Sequence, residues 1–346
     1  MSSGAKRRSL AVLSCVLAVP VLVLGVSSAS SGWALKPADR PSEAEAHNVS
    51  LAVHCGTSAL DRAETPPELG AAYEEMFQQA VQAGYRVLDS GGRAVDAVQA
   101  AVVVMEDNPL CNAGRGAVFN TDGENQLDAS IMDGRNLDVG AVAGVENVKN
   151  PIKAARLVMD ETPHVLIAGE GADDFAASRG IETVTQDYYW TQERWDSLLE
   201  AKKTASVSEE EHGTVGAIAV DSHGDLAAAT STGGLTNKMV GRIGDSPIAG
   251  AGTYADSQFV AVSGTGTGEA FIRANAAREV AVQMEHRNLD VTRAAQAAID
   301  RVARVGGDGA LIALDRNGDF TVPRIGTVKY AWVTDSGDIE TRFYRN

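Results

Sequence analysis

At Gly213-Thr214 the chain passes from an acidic, polar run, Glu209-Glu210-Glu211-His212, into a segment, Thr214 to Val220, that is apolar on both alternating faces. Val215, Ala217 and Ala219 stand on one side of such a strand and Gly216, Ile218 and Val220 on the other, so both sides must be covered by further layers. The junction also puts a hydroxyl at the strand's first residue, behind a glycine. Scission of the Gly213–Thr214 bond would give Thr214 a free α-amino group beside its own hydroxyl, so that one residue supplies nucleophile and base. An α-amino group has an ordinary pKa of about 7.7 to 8.0, which leaves an appreciable fraction unprotonated near neutral pH. A lone Gly-Thr is also common strand sequence, so the neighbours must decide.

The 346 residues suffice for a large buried core. Lys6, Arg7 and Arg8, the apolar run from Leu10 to Val26 and the small residues Ser27-Ser28-Ala29 and Ala34 read as a secretory leader. Residues 1–34 are expected to hold leader and lead-in, with removal after Ala29 or Ala34, giving a secreted or periplasmic protein. The apolar run is short for a bilayer and ends in serines, so no stable membrane anchor is expected. Past the leader Cys55 and Cys111 remain, too few for a disulfide scaffold and wrongly spaced for zinc; they pair, or they are buried thiols. The formal charge of −16, made more negative by loss of Lys6, Arg7 and Arg8, disfavours a nucleic-acid surface.

After a polar lead-in, the fold is expected to begin near Ser50 with a short strand to His54. Pro66-Pro67 open a helix with Leu69, Tyr73, Met76, Phe77 and Ala80 on one face and Gly84 as its stop. Ala94, Ala97, Val98, Ala101, Val102 and Met105 give a second helix a wide apolar stripe. Short strands are predicted over Ala117 to Asn120, Gln126 to Met132, Val139 to Val145 and Val165 to Ala168, with a helix over Ile152 to Met159. Gln192 to Gly213 reads as a solvated, disordered linker. Beyond Thr214 come strands at Leu226 to Thr230 and Phe259 to Ser263. A helix through Phe271, Ala274, Ala277, Ala281 and Met284 follows, then another from an Asp290 cap to Gly306-Gly307. Strands Leu311 to Leu314 and Phe320 to Pro323 are joined by Asn317-Gly318, with Val328 to Val333 behind them. This order predicts an α+β protein layered as a four-layer αββα sandwich.

The chemistry-bearing segments follow Thr214: Thr230-Ser231-Thr232-Gly233-Gly234, then Gly241-Arg242-Ile243-Gly244-Asp245-Ser246-Pro247, then Gly264-Thr265-Gly266-Thr267-Gly268-Glu269. Acyl transfer needs donors aimed at the developing oxyanion; a glycine loop lets backbone N–H groups approach it and a threonine hydroxyl adds a second donor, which suits Gly266 and Thr265. Arg242 can hold a carboxylate bidentately and Asp245 an ammonium, a pair that grips an α-amino acid. The plainer alternative is a silent Arg242–Asp245 ion pair at the surface. Glu269 stands where a dinucleotide loop needs glycine, no P-loop lysine follows, and Phe320 spoils the calcium-loop pattern of Asp315, Asn317 and Asp319. The six histidines show no H-x-x-x-H pairing, so no metal is assigned.

Together these segments, with Asn112-Ala113-Gly114-Arg115-Gly116-Ala117-Val118-Phe119 and Asn150-Pro151-Ile152-Lys153-Ala154-Ala155 upstream, resemble the isoaspartyl peptidase and plant-type L-asparaginase family over roughly Ser50 to Asp338. The resemblance implies an N-terminal nucleophile hydrolase, one domain self-cleaved at Gly213–Thr214 into a large subunit (50–213) and a small one (214–346). It further implies a dimer of such cleaved units acting on a small-molecule or dipeptide substrate. Carried over, Thr214 is nucleophile and base, Thr232 hydrogen-bonds beside it, and Asn112 lies near the nucleophile and its water. Arg242 takes the substrate α-carboxylate, and Asp245 with the Gly268 carbonyl takes the α-amino group. Thr265 and the Gly266 N–H take the oxyanion, with Ile243, Gly244 and Thr267 completing the substrate side. The family often binds structural sodium through backbone carbonyls before Asn112; no other cofactor is implied. His54-Cys55-Gly56-Thr57-Ser58 departs from the family's His-Gly-Gly-Ala-Gly. Gly213 and Thr267 side with this group rather than with the related glycosylasparaginases, which remain the alternative together with an inert amino-acid-binding relative.

Overall fold

The strand that opens the described chain, β1 (Ser50–Thr57), is buried at every position. The computed structural model describes Met1 and residues 50–204 and 213–345; the leader and lead-in, Met1 apart, and the acidic stretch 205–212 lie outside the described residues. In chain order β1 is followed by α1 (Pro67–Asp89), α2 (Ala94–Glu106), β2 (Leu127–Asp133), β3 (Asp138–Val145), α3 (Pro151–Glu161), β4 (Leu166–Ala168), α4 (Glu170–Ser178) and α5 (Gln192–Thr204). After the gap come β5 (Val215–Val220), β6 (Leu226–Thr232), β7 (Thr253–Asp256), β8 (Val260–Gly266), α6 (Gly268–Ala274), α7 (Ala276–Arg287) and α8 (Val291–Arg304). The chain ends in β9 (Gly309–Asp315), β10 (Phe320–Thr321), β11 (Arg324–Ile325), β12 (Val328–Val333) and β13 (Ile339–Arg342).

These strands form an eight-stranded sheet, ordered β13-β12-β1-β5-β6-β2-β3-β4, and a five-stranded one, β10-β9-β8-β7 with β11 also on β9. The period of two in β1 and β5 sorts their side chains between two cores. Leu51, Val53, Val215, Ala217 and Ala219 join α1, α2 and α3 in the first; Ala52, Ile218 and Val220 join β8, β9, α7 and α8 in the second. The strand expected to be covered on both faces is so covered. Each aliphatic chain of Leu or Val size removed from water contributes about 1.5–3 kcal/mol, and truncating Leu51 to Ala costs about 2–5 kcal/mol.

Several expectations are corrected. Gly84 does not end α1 but lies within it, where a Cβ would fall 2.3 Å from Leu51 Cδ1 and 2.9 Å from the Ala97 carbonyl, so it is a point of close approach between helices and sheet. Residues 192–204, expected to be disordered, form α5, because Arg194, Leu198 and Ala201 fall on one buried face. Ala117 to Asn120 makes no strand, only a bridge from Asn120 to Lys238. The helix expected through Phe271 and Met284 breaks at Asn275, whose φ of 54° is left-handed. There the first N–H groups of α7, from Ala277 and Arg278, are taken by the carbonyls of Ala251 and Gly250. Asp290 caps α8 as expected, accepting from the Arg293 N–H at 2.8 Å. Asp315 Oδ1 accepts the N–H groups of Asn317 and Asp319, which closes the β9–β10 turn. Cys55 and Cys111, left open by sequence, are a disulfide with Cα atoms 5.6 Å apart. Among the described residues no helix is long and apolar enough to cross a membrane.

Candidate active site

Thr214 sits one residue before β5, where Val215 pairs with Cys55 of β1 and Ser231 of β6. Its Oγ1 lies 3.0 Å from Oγ1 of Thr232, the last residue of β6, and Thr232 Oγ1 also accepts the Gly234 N–H at 3.0 Å. The Asn112 N–H donates to the Gly213 carbonyl at 2.9 Å, and the Asn112 carbonyl accepts from Gly233. Both ends of the Asn112 side chain are engaged, Nδ2 with the Gly234 carbonyl at 2.7 Å and Oδ1 with the Val118 N–H at 3.0 Å. Asn112 is thus the knot tying the residue before Thr214 to the loop after Thr232. Glycine is required on both sides of that knot: a Cβ at Gly213 would meet Asn112 N at 2.7 Å, and one at Gly233 would meet Oδ1 at 2.5 Å.

The loop continues to Arg242 and Asp245. A Cβ at Gly234 would lie 3.4 Å from Arg242 Nη1, one at Gly244 2.7 Å from the same atom, and one at Gly268 2.8 Å from Arg242 Nη2 and 2.9 Å from Asp245 Oδ1. Glycine at 268 is therefore what lets the guanidinium and the carboxylate both close against the backbone at this point. Arg242 does not pair with Asp245 as the plainer alternative supposed. Its Nε and Nη2 donate to the two oxygens of Glu269, each at 2.9 Å, with Glu269 more than half exposed. Asp245 is buried with Oδ2 unpartnered, and burial pushes its carboxyl up to about 7, against the pull of the Arg242 charge. The hydroxyls of Ser246 and Thr265 are likewise buried and unpartnered among the described residues.

Gly266, at φ 143°, holds a backbone region that favours glycine, and a Cβ there would meet the Asp308 carbonyl at 2.3 Å. Thr267 turns its hydroxyl to Asp308 Oδ1 at 2.7 Å, so that side chain is committed to the loop below α6. Ile243 is exposed.

Sequence reasoning missed three neighbours. Glu269 was weighed only as a non-glycine, although its carboxylate holds Arg242. Asp128 lies buried beside the Gly244 N–H and the cations of Lys238 and Arg242; burial raises its carboxyl, while it lowers Lys238 to about 8. His54, at the departure from the family pattern, is buried, with Nε2 2.9 Å from Ser263 Oγ, and burial lowers it to about 3, so it is neutral. Gly216 makes room for it, since a Cβ there would lie 2.4 Å from His54 Nε2. The cross-strand glycine was the available signal.

A family profile described as asparaginase matches residues 47–343. The chain is 45% identical over 284 residues to an isoaspartyl peptidase of Escherichia coli K12, covering 79% of this chain and 88% of that protein. It is 44% identical over 275 residues to an isoaspartyl peptidase/L-asparaginase of Xenopus laevis, covering 78% and 88%. A human isoaspartyl peptidase/L-asparaginase is 46% identical over 248 residues, covering 70% and 80%. With that profile spanning nearly all described residues and relatives such as the Escherichia coli protein 45% identical over most of both chains, the chain belongs to this asparaginase family of hydrolases.

Proposed function

We propose that the chain is a self-cleaving threonine amidohydrolase that splits β-aspartyl bonds, in isoaspartyl dipeptides and in the side-chain amide of L-asparagine, releasing L-aspartate. The observation that carries it is the Thr214 hydroxyl, 3.0 Å from that of Thr232 and directly behind a glycine carbonyl held by the Asn112 amide. The names and 45% identity of the relatives support the same reading. After scission, the α-amine of Thr214 takes the proton of its own hydroxyl as Oγ1 attacks the β-carbonyl carbon. The leaving amine departs protonated, and water hydrolyses the β-aspartyl ester. Thr265 Oγ1, without a partner among the described residues, and the Gly266 N–H are the proposed oxyanion donors. Arg242 receives the α-carboxylate, exchanging Glu269 for it, and Asp245 with the Gly268 carbonyl receives the α-ammonium.

The two sheets and their outer helices support an αββα sandwich of the N-terminal nucleophile type; we further propose that it divides into 50–213 and 214–346 and that the cleaved units pair as a dimer. The Cys55–Cys111 bond supports export, since such bonds persist in oxidising compartments. The carbonyls of Glu106 and Cys111 pack directly against Gly114 and Gly116, where a Cβ would lie 2.2 and 2.1 Å from them; these contacts hold the turn that carries Asn112 close to the end of α2.

Intact mass of the purified full chain tests the proposal: two fragments dividing before Thr214, and one unbroken chain for Thr214→Ala. Turnover of β-aspartyl-leucine and L-asparagine is expected. An uncleaved inert wild type, or exclusive turnover of N-acetylglucosaminyl-asparagine, overturns it.

A further inference from the structure

We propose that the Cys55–Cys111 disulfide positions the Gly213–Thr214 bond for scission, so that maturation of this chain waits on oxidation of the pair. The inference rests on the self-cleavage reading above. Cys55 is the cross-strand partner of Val215, the residue after Thr214. Cys111 immediately precedes Asn112, whose N–H holds the Gly213 carbonyl at 2.9 Å. The cross-link thus joins the segment that fixes the nucleophile to the segment that fixes the carbonyl it attacks. Cys55, Leu110 and Gly213 also line one cavity of about 220 Å³.

The two segments are held very differently without it. β1 is paired on both sides, to β5 and to β12. Residues 107–113 belong to no helix or strand. Around Asn112 the fit leaves no slack, since even a Cβ at Gly213 would lie 2.7 Å from its N and Cβ atoms. Misplacing a reacting group by about 1 Å can cost on the order of a hundredfold in rate. Tying Cys111 to the fixed strand adds a covalent restraint, at the residue next to the donor, to the hydrogen bonds that hold Asn112.

Oxidation comes first: the thiols give up two protons and two electrons to a small-molecule or protein disulfide, which is reduced to two thiols as the S–S bond forms. Thr214 Oγ1 then adds to the Gly213 carbonyl carbon, the C–N bond breaks, and the hydroxyl proton ends on the Thr214 nitrogen. Water hydrolyses the resulting ester, leaving a carboxylate on Gly213 and restoring the hydroxyl. Once that bond is gone the cross-link has done its positioning.

The test compares scission time courses, by intact mass, of the full-length precursor refolded with glutathione disulfide and with a reducing phosphine. The oxidised precursor is expected to divide at least about tenfold faster. Reducing the already divided enzyme is expected to leave kcat for β-aspartyl-leucine within about threefold, an asymmetry that general destabilisation would not produce. A Cys55→Ala/Cys111→Val variant, checked for native circular dichroism, repeats the comparison without depending on how the reduced chain folds, and is expected to divide slowly in either medium. Equal rates for oxidised, reduced and variant precursors, or equal losses before and after division, overturn the role of the cross-link while leaving Thr214 as nucleophile. An oxidised precursor that never divides overturns both.

Discussion

The proposed nucleophile side and the proposed substrate side of the site are built on opposite plans. Around Thr214 the polar groups are mutually engaged: Thr214 with Thr232, Thr232 with Gly234, and Asn112 with Gly213, Gly233, Gly234 and Val118. Around Asp245 buried oxygens lack partners among the described residues, namely Asp245 Oδ2, Ser246 Oγ and Thr265 Oγ1, while Arg242 reaches out to an exposed carboxylate. Burying an unpaired polar group costs about 1–3 kcal/mol. A fold tolerates such groups where a ligand satisfies them and closes its networks where a covalent geometry must be set in advance. On the proposed function, the difference separates a region preorganised for scission from one completed by substrate.

The largest expected effect tests that separation. Thr232→Val removes the hydroxyl at 3.0 Å from Thr214 and is expected to slow scission by about two to three orders of magnitude, as loss of a preorganised donor does. Arg242→Ala is expected to divide at the wild-type rate yet lose about a hundredfold in kcat/KM, mostly through KM, because a charge-assisted pair to the substrate carboxylate is gone. Mass spectra and steady-state kinetics on both variants check the pair. Impaired scission in Arg242→Ala would break the division between the two regions.

The pH dependence comes next. Only the ionised Asp245 accepts an ammonium, and burial sets its carboxyl to about 7. As pH falls below that value KM is expected to rise about tenfold per unit, an inflection that Asp245→Asn abolishes. Stability runs the other way. A carboxyl raised from 3.8 to about 7 in the empty fold favours the folded state on the acid side and loses that contribution as pH rises through about 7. Thermal melts of wild type and Asp245→Asn from pH 4 to 8 check this, with the difference expected to narrow once substrate is bound.

The two regions were also unequally legible in the sequence. Thr214 and Thr232 lie at the ends of β5 and β6, where alternation and turn glycines set the register, so their meeting follows from strand pairing. Asn112 and Arg242 lie in loops whose course is set by glycine contacts such as Gly268 on both Arg242 and Asp245, a three-dimensional constraint with no period to read. The same limit hid α5. Its charged outer face, Glu193, Asp196, Glu200 and Lys203, is what composition registers, whereas Arg194 is buried with its Nε bonded to the Gly116 carbonyl, far away in sequence. Cys55 and Cys111 carry no spacing signal because the bridge joins β1 to a loop beyond two helices.

The smallest effect concerns the exposed two-point contact between Arg242 and Glu269. Glu269 holds Arg242 with two contacts of 2.9 Å, but its side chain is 54% exposed, where water and salt screen the pair. Pairs of this kind are worth at most about 1 kcal/mol. On the proposed reading Glu269 is a weak placeholder, orienting the guanidinium until a substrate carboxylate displaces it. Glu269→Gln removes the competing charge and keeps the side-chain shape, so KM is expected to fall by about threefold with kcat unchanged, most visibly at low ionic strength. A KM that rises instead would mean that Glu269 sets the Arg242 orientation rather than competing for it, and the substrate side would then be as preorganised as the nucleophile side.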